Sequence, residues 1–263
     1  MSIRKILRFG ILGAARIAPL GIIEPAQKTE GAVVNAIASR NIERAQSFAK
    51  KYHVPKVFEN YDDLIHEPDI DAIYNALPNS LHCEWSIKAL YAGKHVLCEK
   101  PLACNTEEAE RMTHVAAEKG KMLVEAFHYR YHPLAFRMKE IIDQGLLGKI
   151  LWMRSHFTVP VPDQNNIRFN YSLGGGSTMD LGSYLIHMSR HIIGEEPQVV
   201  IADAKIIGGK IDVAMRAELT FPNGTRGYIR SSMESTAPLS MEIEIGRNCG
   251  KGVQGPYHRC FPG

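Results

Sequence analysis

The sequence has few of the features that mark metal sites, disulfide frameworks or membrane segments. Neither a Cys-x-x-Cys pair nor a His-Glu-x-x-His motif occurs, so we expect no metal site. The five cysteines are odd in number and irregularly spaced, which argues against a disulfide framework and makes the cytoplasm the expected compartment. No apolar run approaches the length of a membrane span, and the run after residue 8 is too short for a signal peptide.

A block of like charge is also missing. The net charge is +3 over 263 residues, and basic residues are scattered along the chain. We therefore expect neither nucleic acid nor an acidic membrane as a partner. Apolar residues make up 45% and charged residues 22% of the chain, as in a globular protein that buries a substantial core.

Short apolar runs alternate with helical patterns in the first half of the chain. We predict strands at residues 6–12, 33–38, 71–77, 95–98 and 122–127, and helices at 17–28, 42–52, 61–65, 80–92 and 106–119. Asn105 or Thr106 is expected to cap the last of these helices. Strand and helix in alternation predict an α/β domain with a doubly wound parallel sheet, over residues 1–127.

The second half has strands in succession. We predict helices at 133–144 and 177–193, and strands at 150–159, 199–207, 213–221, 225–232 and 241–245. Such a pattern predicts a C-terminal α+β domain with a mostly antiparallel sheet, over residues 128–245. Residues 246–263 have no periodicity and are rich in Gly, Cys and Pro, so we treat them as an atypical tail.

The turn after the first predicted strand resembles a dinucleotide-binding loop. Gly10 would lie inside the strand, Gly13 would permit the tight turn, and Ala15 would take the position where helix and strand pack closely. Arg16 and Ile17 would begin the following helix, whose N-terminal N–H groups suit a pyrophosphate. An ordinary strand-to-helix turn is the alternative, but the position in the first strand–helix unit favours a Rossmann nucleotide-binding domain.

The end of the second predicted strand indicates which dinucleotide is bound. NAD-dependent enzymes usually place Asp or Glu there to accept the ribose 2′-hydroxyl, whereas this chain has Ser39 and Arg40. Ser39 can donate a hydrogen bond and Arg40 can pair with a 2′-phosphate, with Arg44 one turn further on. We therefore predict NADP as the cofactor rather than NAD; a solvated surface arginine is the alternative for Arg40.

Four further segments carry a resemblance to a known family. They are residues 75–82, the Cys-Glu-Lys-Pro sequence at 98–101, residues 125–133, and the glycine-rich segment 174–184. In this order they resemble the glucose–fructose oxidoreductase / inositol dehydrogenase (Gfo/Idh/MocA) family, most of all its dimeric dihydrodiol dehydrogenase and NADP-dependent D-xylose dehydrogenase branch. The resemblance implies an oxidoreductase that transfers a hydride between nicotinamide and a hydroxyl of a pyranose or cyclic diol, with a homodimer as the family's assembly.

The same resemblance implies the catalytic residues. The lysine of the family's Glu-Lys-Pro motif, here Lys100, faces the substrate hydroxyl and the nicotinamide, where a cation lowers the pKa of the reacting group. Asp180 and Tyr184 are spaced i, i+4 and would share one helix face. Tyr184 would accept the proton if Lys100 lowers its pKa, and Asp180 would orient the substrate.

Other positions follow from the resemblance by matching motifs. Cofactor contacts are implied for Leu77, Pro78, Asn79, His82, Glu99 and Lys100, and substrate contacts for His128, Arg130, Arg168 and His187. For His187 a core or capping role is the alternative. The glycines at 174–176 are expected to let backbone approach the substrate closely.

The chain is shorter than the usual member of this family and ends in the atypical tail. We therefore expect the second domain to be incomplete, which places the homodimer in doubt. The tail also leaves open a non-catalytic NAD(P)-binding regulatory protein or an inactive truncated isoform. A biliverdin-reductase-like activity is a third reading that no residue here specifically favours.

Overall fold

Parallel strands form the first of two sheets in the computed structural model, which describes residues 6–234 and 239–247. The strands are β1 (Leu7–Leu12), β2 (Ala32–Ala38), β3 (Lys56–Phe58), β4 (Ala72–Asn75), β5 (His95–Cys98) and β6 (Leu123–Glu125). Their spatial order is β3-β2-β1-β4-β5-β6, with every neighbouring pair parallel. The strand order reverses between β1 and β4, the position where open α/β sheets bind ligands at their carboxyl ends.

Helices cover both faces of this sheet. They are α1 (Glu24–Gln27), α2 (Ile42–Tyr52), α3 (Tyr61–His66), α4 (His82–Tyr91) and α5 (Thr106–Glu118). Consecutive residues of β1 point to opposite faces: Ile11 belongs to one buried apolar cluster and Leu12 to the other. A strand buried on both sides is typical of a doubly wound sheet, so the predicted fold class of the first half is confirmed.

The first crossover is irregular, as its two prolines predict. A π-helical turn over Pro19–Ile23 precedes the short helix α1, and both segments carry a proline near their start. Proline has no N–H, so it cannot donate the helical hydrogen bond to the carbonyl four residues earlier. The regular helix expected from residue 17 is therefore replaced by a wide turn at residues 14–17 and a π-helical segment.

Asparagine side chains cap the N-termini of three helices, α2, α3 and α5. Asn41, Asn60 and Asn105 each accept a hydrogen bond from the backbone N–H three residues further on, at 2.7–2.9 Å. An unpaired N–H at a helix start is stabilised in this way, because no preceding carbonyl is available. Of the two residues considered for α5, Asn105 is the cap and Thr106 is the first helical residue.

The second sheet is mostly antiparallel. It contains β7 (Ile150–Thr158), β8 (Gln198–Ile207), β9 (Ile211–Thr220), β10 (Arg226–Ser232) and β11 (Ser240–Arg247), in the order β11-β7-β10-β9-β8. Only the β7–β10 pair is parallel among the described pairings. This arrangement confirms the predicted class of the second half.

Two helices accompany this sheet, α6 (Pro133–Asp143) and α7 (Ser183–Ile193). Leu185 of α7 packs against Met215, Leu219 and Ile229 of the sheet. A π-helical turn over Thr178–Gly182 precedes α7, within the segment predicted as one helix. None of the helices in the described part of the chain is long and apolar enough to cross a membrane. The predicted tail lies outside the described residues from residue 248 onward, and the division into domains stays a prediction.

We expect Asn105→Ala to lower the free energy of unfolding by about 1 kcal/mol, because the N–H of Glu108 loses its acceptor. Urea unfolding measures this change. Asn105→Ser is the matched control, since its hydroxyl can accept the same hydrogen bond and should preserve most of the stability. Equal loss in both variants would show that capping is not the role of this side chain.

Candidate active site

A cleft of about 280 Å³ opens where the carboxyl ends of β1, β4 and β5 meet the second sheet. From the first half it is lined by Ile17, Leu77, Pro78, Asn79, Glu99 and Lys100. From the second half it is lined by Phe157, Val159, Ile167, Arg168, Leu173, Gly174, Gly175, Asp180, Leu181 and Tyr184. Residues widely separated in the sequence are thus brought to one site.

Lys100 reaches across this cleft from the end of β5. Its ammonium nitrogen lies 2.8 Å from Asp180 Oδ1 and 2.8 Å from the backbone carbonyl of Asp180. The side chains of Lys100 and Asp180 are 12% and 14% exposed, so the ion pair is largely shielded from water. The peptide bond between Lys100 and Pro101 is cis.

The Asp180 carboxylate has a cation on each oxygen. Lys100 donates to Oδ1, and Arg168 Nε donates to Oδ2 at 2.5 Å. Burial by itself would raise the pKa of this carboxyl, but the charges of Lys100 and Arg168 outweigh burial and hold the pKa below its usual value. Asp180 is therefore ionised at neutral pH, and it orients the lysine and the arginine.

Tyr184 lies in the first turn of α7, among aromatic rings. The Phe127 and Phe157 rings lie 5.3 and 5.6 Å from its own, and the Lys100 ammonium lies 4.8 Å above its face. Burial, followed by the charges of Glu99 and Asp180, raises the pKa of the Tyr184 hydroxyl. This corrects the expectation that Lys100 lowers that pKa: the ammonium lies over the ring face, and its charge is paired with Asp180.

The predicted cofactor loop lies at the end of β1, beside the end of β2. Gly13 has φ of +89°, and its N–H donates to the carbonyl of Ala38 at 2.9 Å. Ala15 follows in the turn, the side chain of Arg16 is exposed, and Ile17 lines the cleft. Gly10 is inside the strand as predicted.

Packing accounts for the glycine at position 10. A Cβ at Gly10 would come within 2.5 Å of Leu64 Cδ2, so this glycine allows helix α3 to lie close to β1. Gly10 therefore shapes the strand that ends in the loop, and its part in cofactor binding stays a prediction.

The predicted 2′-phosphate residues lie at the end of β2. Ser39 is buried and accepts a hydrogen bond from the N–H of Asn41, while Arg40 is exposed. Arg44 donates from Nη2 to the carbonyl of Ala14 at 2.8 Å, so it stabilises the loop after β1. Arg44 thus stabilises the loop after β1, whereas the Arg40 side chain is exposed to solvent.

His82 does not face the cleft, which corrects its predicted contact with the cofactor. Its side chain is fully buried, and its two ring nitrogens lie 2.8 Å from the carbonyl oxygens of Pro101 and Leu77. Burial lowers the pKa of this imidazole, while the two carbonyl oxygens act in the opposite direction. His82 therefore connects the segment after β4 to the segment after β5, and its role is to hold both in place.

The histidine on α7 is also displaced from its predicted role. His187 Nδ1 forms a short hydrogen bond with the Tyr129 hydroxyl, and its ring lies 4.1 Å from that of Phe127. Neither His187 nor the exposed His128 and Arg130 line the cleft, and their substrate contacts stay predictions. His187 instead belongs to the aromatic layer behind Tyr184, as its alternative core role predicts.

The glycine-rich segment approaches protein backbone closely. A Cβ at Gly175 would lie 2.4 Å from the carbonyl oxygen of Arg168, and the N–H of Gly176 donates to that oxygen at 2.9 Å. Asn79 donates from Nδ2 to the carbonyl of Gly174 at 2.8 Å and so joins the two halves. The glycines therefore hold Arg168 at the cleft, a role that the sequence did not indicate.

Several lining residues carry no signal in the sequence. Phe157 and Val159, at the end of β7, have the alternation of any half-buried strand, and Leu173 and Leu181 resemble core residues. Tyr74 of β4 was also missed: it is fully buried, and its hydroxyl donates to Glu99 Oε1 at 2.5 Å. A tyrosine beside Asn75 at the end of a buried strand was the one available hint.

The fold and the cleft define an oxidoreductase with a nucleotide-binding Rossmann sheet. Residues 7–127 match the model described as "Oxidoreductase family, NAD-binding Rossmann fold", and residues 136–247 match the GFO/IDH/MocA C-terminal domain. The chain belongs to the Gfo/Idh/MocA oxidoreductase family.

Named relatives act on sugars and diols. The chain is 34% identical to D-xylose 1-dehydrogenase (NADP(+)) 2 of Haloferax volcanii, over 87% of this chain and 70% of that protein. It is 31% identical to trans-1,2-dihydrobenzene-1,2-diol dehydrogenase of Mus musculus, over 88% of this chain and 70% of that protein.

A solved structure is also similar. It is a 3-ketoreductase from Actinomadura kijaniata in complex with NADP and TDP-benzene, with a TM-score of 0.83 and 33% identity over 88% of this chain and 71% of that one. The same reductase has been solved with one tyrosine replaced and with one lysine replaced.

We expect the His187 imidazole to stay neutral well below the usual histidine range, because burial, followed by the charge of Arg130, lowers its pKa to about 4. The unfolded chain then binds a proton that the folded chain does not. Stability should fall as the pH drops from about 6.5 to 4. NMR titration of the ring signals measures the pKa, and His187→Gln identifies the signal and should weaken the pH dependence of unfolding. Titration of His187 above pH 6 would contradict this placement.

Proposed function

We propose that the chain is an NADP-dependent oxidoreductase that transfers a hydride between the nicotinamide and a hydroxyl-bearing carbon of a pyranose or cyclic diol. One observation carries the proposal. Lys100, Asp180 and Tyr184 meet in one cleft at the carboxyl ends of the parallel strands, beside the loop after β1. Family membership supports the reaction class, and the cleft supplies a cation and a phenol for a reacting oxygen.

The residues around the loop fit a 2′-phosphorylated dinucleotide. Gly13 holds a left-handed backbone at the tight turn, where a side chain would press on Leu77. Ser39 and Arg40 directly follow β2, so no carboxylate at this position would repel a phosphate. Arg16 and Arg40, both exposed, are the groups that would pair with phosphate oxygens, while Glu99 and Lys100 would face the nicotinamide. The chemistry that such a cofactor supplies is acceptance or donation of a hydride.

The protonation of Tyr184 favours one direction of the reaction. Because its pKa is raised, the hydroxyl is protonated at neutral pH and can donate to an alkoxide that develops when a carbonyl is reduced. The Lys100 ammonium would stabilise the same oxygen, held in place by Asp180. Oxidation of an alcohol requires the phenolate, so we expect it to become faster as the pH rises.

The size and lining of the cleft suit a single ring. Its apolar side includes Phe157 and Leu181, which can contact the face of a ring, and its polar side includes Lys100 and Arg168, which can donate to hydroxyl oxygens. A cleft of about 280 Å³ lies just below the usual range of ligand pockets, which begins at about 300 Å³. The named relatives act on D-xylose and on a cyclic diol, and this lining is compatible with both.

The activity can be tested with purified protein and NADP. We expect reduction of NADP with at least one of D-xylose, D-glucose and trans-1,2-dihydrobenzene-1,2-diol, followed at 340 nm. Lys100→Met should lower kcat by roughly a hundredfold, because the reacting oxygen loses its cation. Lys50→Met, an exposed lysine on α2, is the matched control and should leave kcat unchanged. Wild-type protein that turns over none of these substrates would contradict the proposal, and full activity in Lys100→Met would remove the assigned role.

The cofactor preference has its own test. Arg40→Ala should weaken NADP binding by about tenfold, since a charge-assisted hydrogen bond to phosphate is lost, and should leave NAD binding unchanged. Tryptophan-fluorescence titration with each dinucleotide measures both constants. Arg111→Ala, an exposed arginine on α5, controls for the loss of one positive charge. If Arg40→Ala keeps the full NADP preference, then Arg40 does not bind the phosphate.

A further inference from the structure

A partly buried hydrogen bond holds the residue that precedes the candidate lysine in the chain. Tyr74 is in β4, the fourth strand along the chain, and is fully buried; its hydroxyl donates at 2.5 Å to Oε1 of Glu99, which lines the cleft. The other carboxylate oxygen, Oε2, accepts the backbone N–H of Lys100 at 3.3 Å. One carboxylate thus connects the core of the sheet to the backbone of the lysine.

We propose that Tyr74 is a positioning residue, which keeps the Glu99 carboxylate on the Lys100 backbone and away from the Lys100 ammonium. The proposal rests on the function proposed for Lys100. It adds Tyr74 to the residues that position Lys100, although Tyr74 does not line the cleft.

The arrangement of charges shows why such a residue is needed. Glu99 and Lys100 are adjacent in the chain, both line the cleft, and they carry opposite charges. A Glu99 carboxylate without a fixed donor would be attracted to the ammonium and would compete with Asp180 and with a substrate oxygen. In the described structure the ion pair of Lys100 is with Asp180, at 2.8 Å.

The tyrosine is suited to be a permanent donor. Burial, followed by the charge of Glu99, raises its pKa, so the hydroxyl keeps its proton over the pH range in which proteins stay folded. A buried hydroxyl needs a partner, and Glu99 supplies it. The hydrogen bond therefore does not depend on the protonation changes that accompany a reaction.

A glycine in the first crossover makes room for this hydroxyl. A Cβ at Gly21 would lie 2.5 Å from the Tyr74 oxygen and 3.7 Å from Glu99 Oε1. Gly21 lies within the π-helical segment Pro19–Ile23 and has no positive φ, so its backbone does not require glycine. The close approach of Tyr74 does require it, and this observation is independent of the hydrogen bond itself.

The test is Tyr74→Phe, which removes one oxygen and keeps the ring. We expect its crystal structure to show the Glu99 carboxylate turned toward the Lys100 ammonium. With NADP and the substrate that the wild type oxidises, we expect kcat to fall about tenfold while KM stays within about threefold. Because the chemical step becomes slower, the primary isotope effect with deuterated substrate should rise. Tyr61→Phe is the matched control: Tyr61 is also buried in the first half, its ring packs edge-on against Trp85, and it does not line the cleft.

Two further variants test the route through Glu99. In a Glu99→Gln background, Tyr74→Phe should cost little additional kcat, because both changes break the same connection. Gly21→Ala should lower both Tm and kcat by displacing the hydroxyl. The double variant Gly21→Ala/Tyr74→Phe should regain Tm, because the clash with the hydroxyl is removed, but not kcat, because the hydrogen bond to Glu99 is still missing. If Tyr74→Phe alone does not fold, the kcat of Gly21→Ala against wild type answers the same question.

The outcomes separate this inference from the proposed function. If Glu99 keeps its place in the Tyr74→Phe crystal structure, or if kcat changes less than twofold, Tyr74 only fills space and the inference is overturned. Additive losses in the Glu99→Gln background would overturn the route through Glu99. If the wild type turns over no sugar or diol, the proposed function fails, while the position of Glu99 in the crystal structure still decides the inference.

Discussion

The ion pair between Lys100 and Asp180 is the contact on which the arrangement of the site depends. Lys100 comes from the end of a parallel strand in the first sheet, and Asp180 comes from the turn before α7 in the second half. Both side chains are largely buried, so removal of Asp180 would leave the Lys100 ammonium without its counter-ion, which costs several kcal/mol. Arg168 occupies the other carboxylate oxygen. One carboxylate with two cations therefore joins the end of β5 to the turn before α7, alongside the hydrogen bond from Asn79 to Gly174.

Hydrogen bonds outside the cleft hold these groups in position. The Arg168 backbone is held by the N–H of Gly176, and Glu99 is held by the hydroxyl of Tyr74. His82 fixes the segment that precedes Lys100 to the segment after β4, through the carbonyls of Pro101 and Leu77. The charged groups at the cleft are thus preorganised by hydrogen-bond partners outside it, which is how a site keeps its geometry when a ligand replaces water.

Much of this could be predicted from the sequence, because strand ends and glycine turns are local features. The alternation of apolar runs predicted the parallel sheet, and the spacing of Asp180 and Tyr184 predicted that both face one site. Burial, in contrast, depends on contacts between distant residues. No local pattern shows that both nitrogens of His82 are occupied or that His187 pairs with Tyr129. The direction of the Tyr184 pKa was mispredicted for the same reason, since burial, followed by the charges of Glu99 and Asp180, raises it.

A double-mutant cycle on Lys100→Met and Asp180→Asn tests the central claim most directly. Urea unfolding can be followed by tryptophan fluorescence, because Trp85 lies in the first half and Trp152 in the second. If the ion pair joins the two halves, the two changes should be non-additive, with a coupling free energy of about 1 kcal/mol or more. Additive changes, within about 0.3 kcal/mol, would contradict the account and would show that the halves are placed by other contacts.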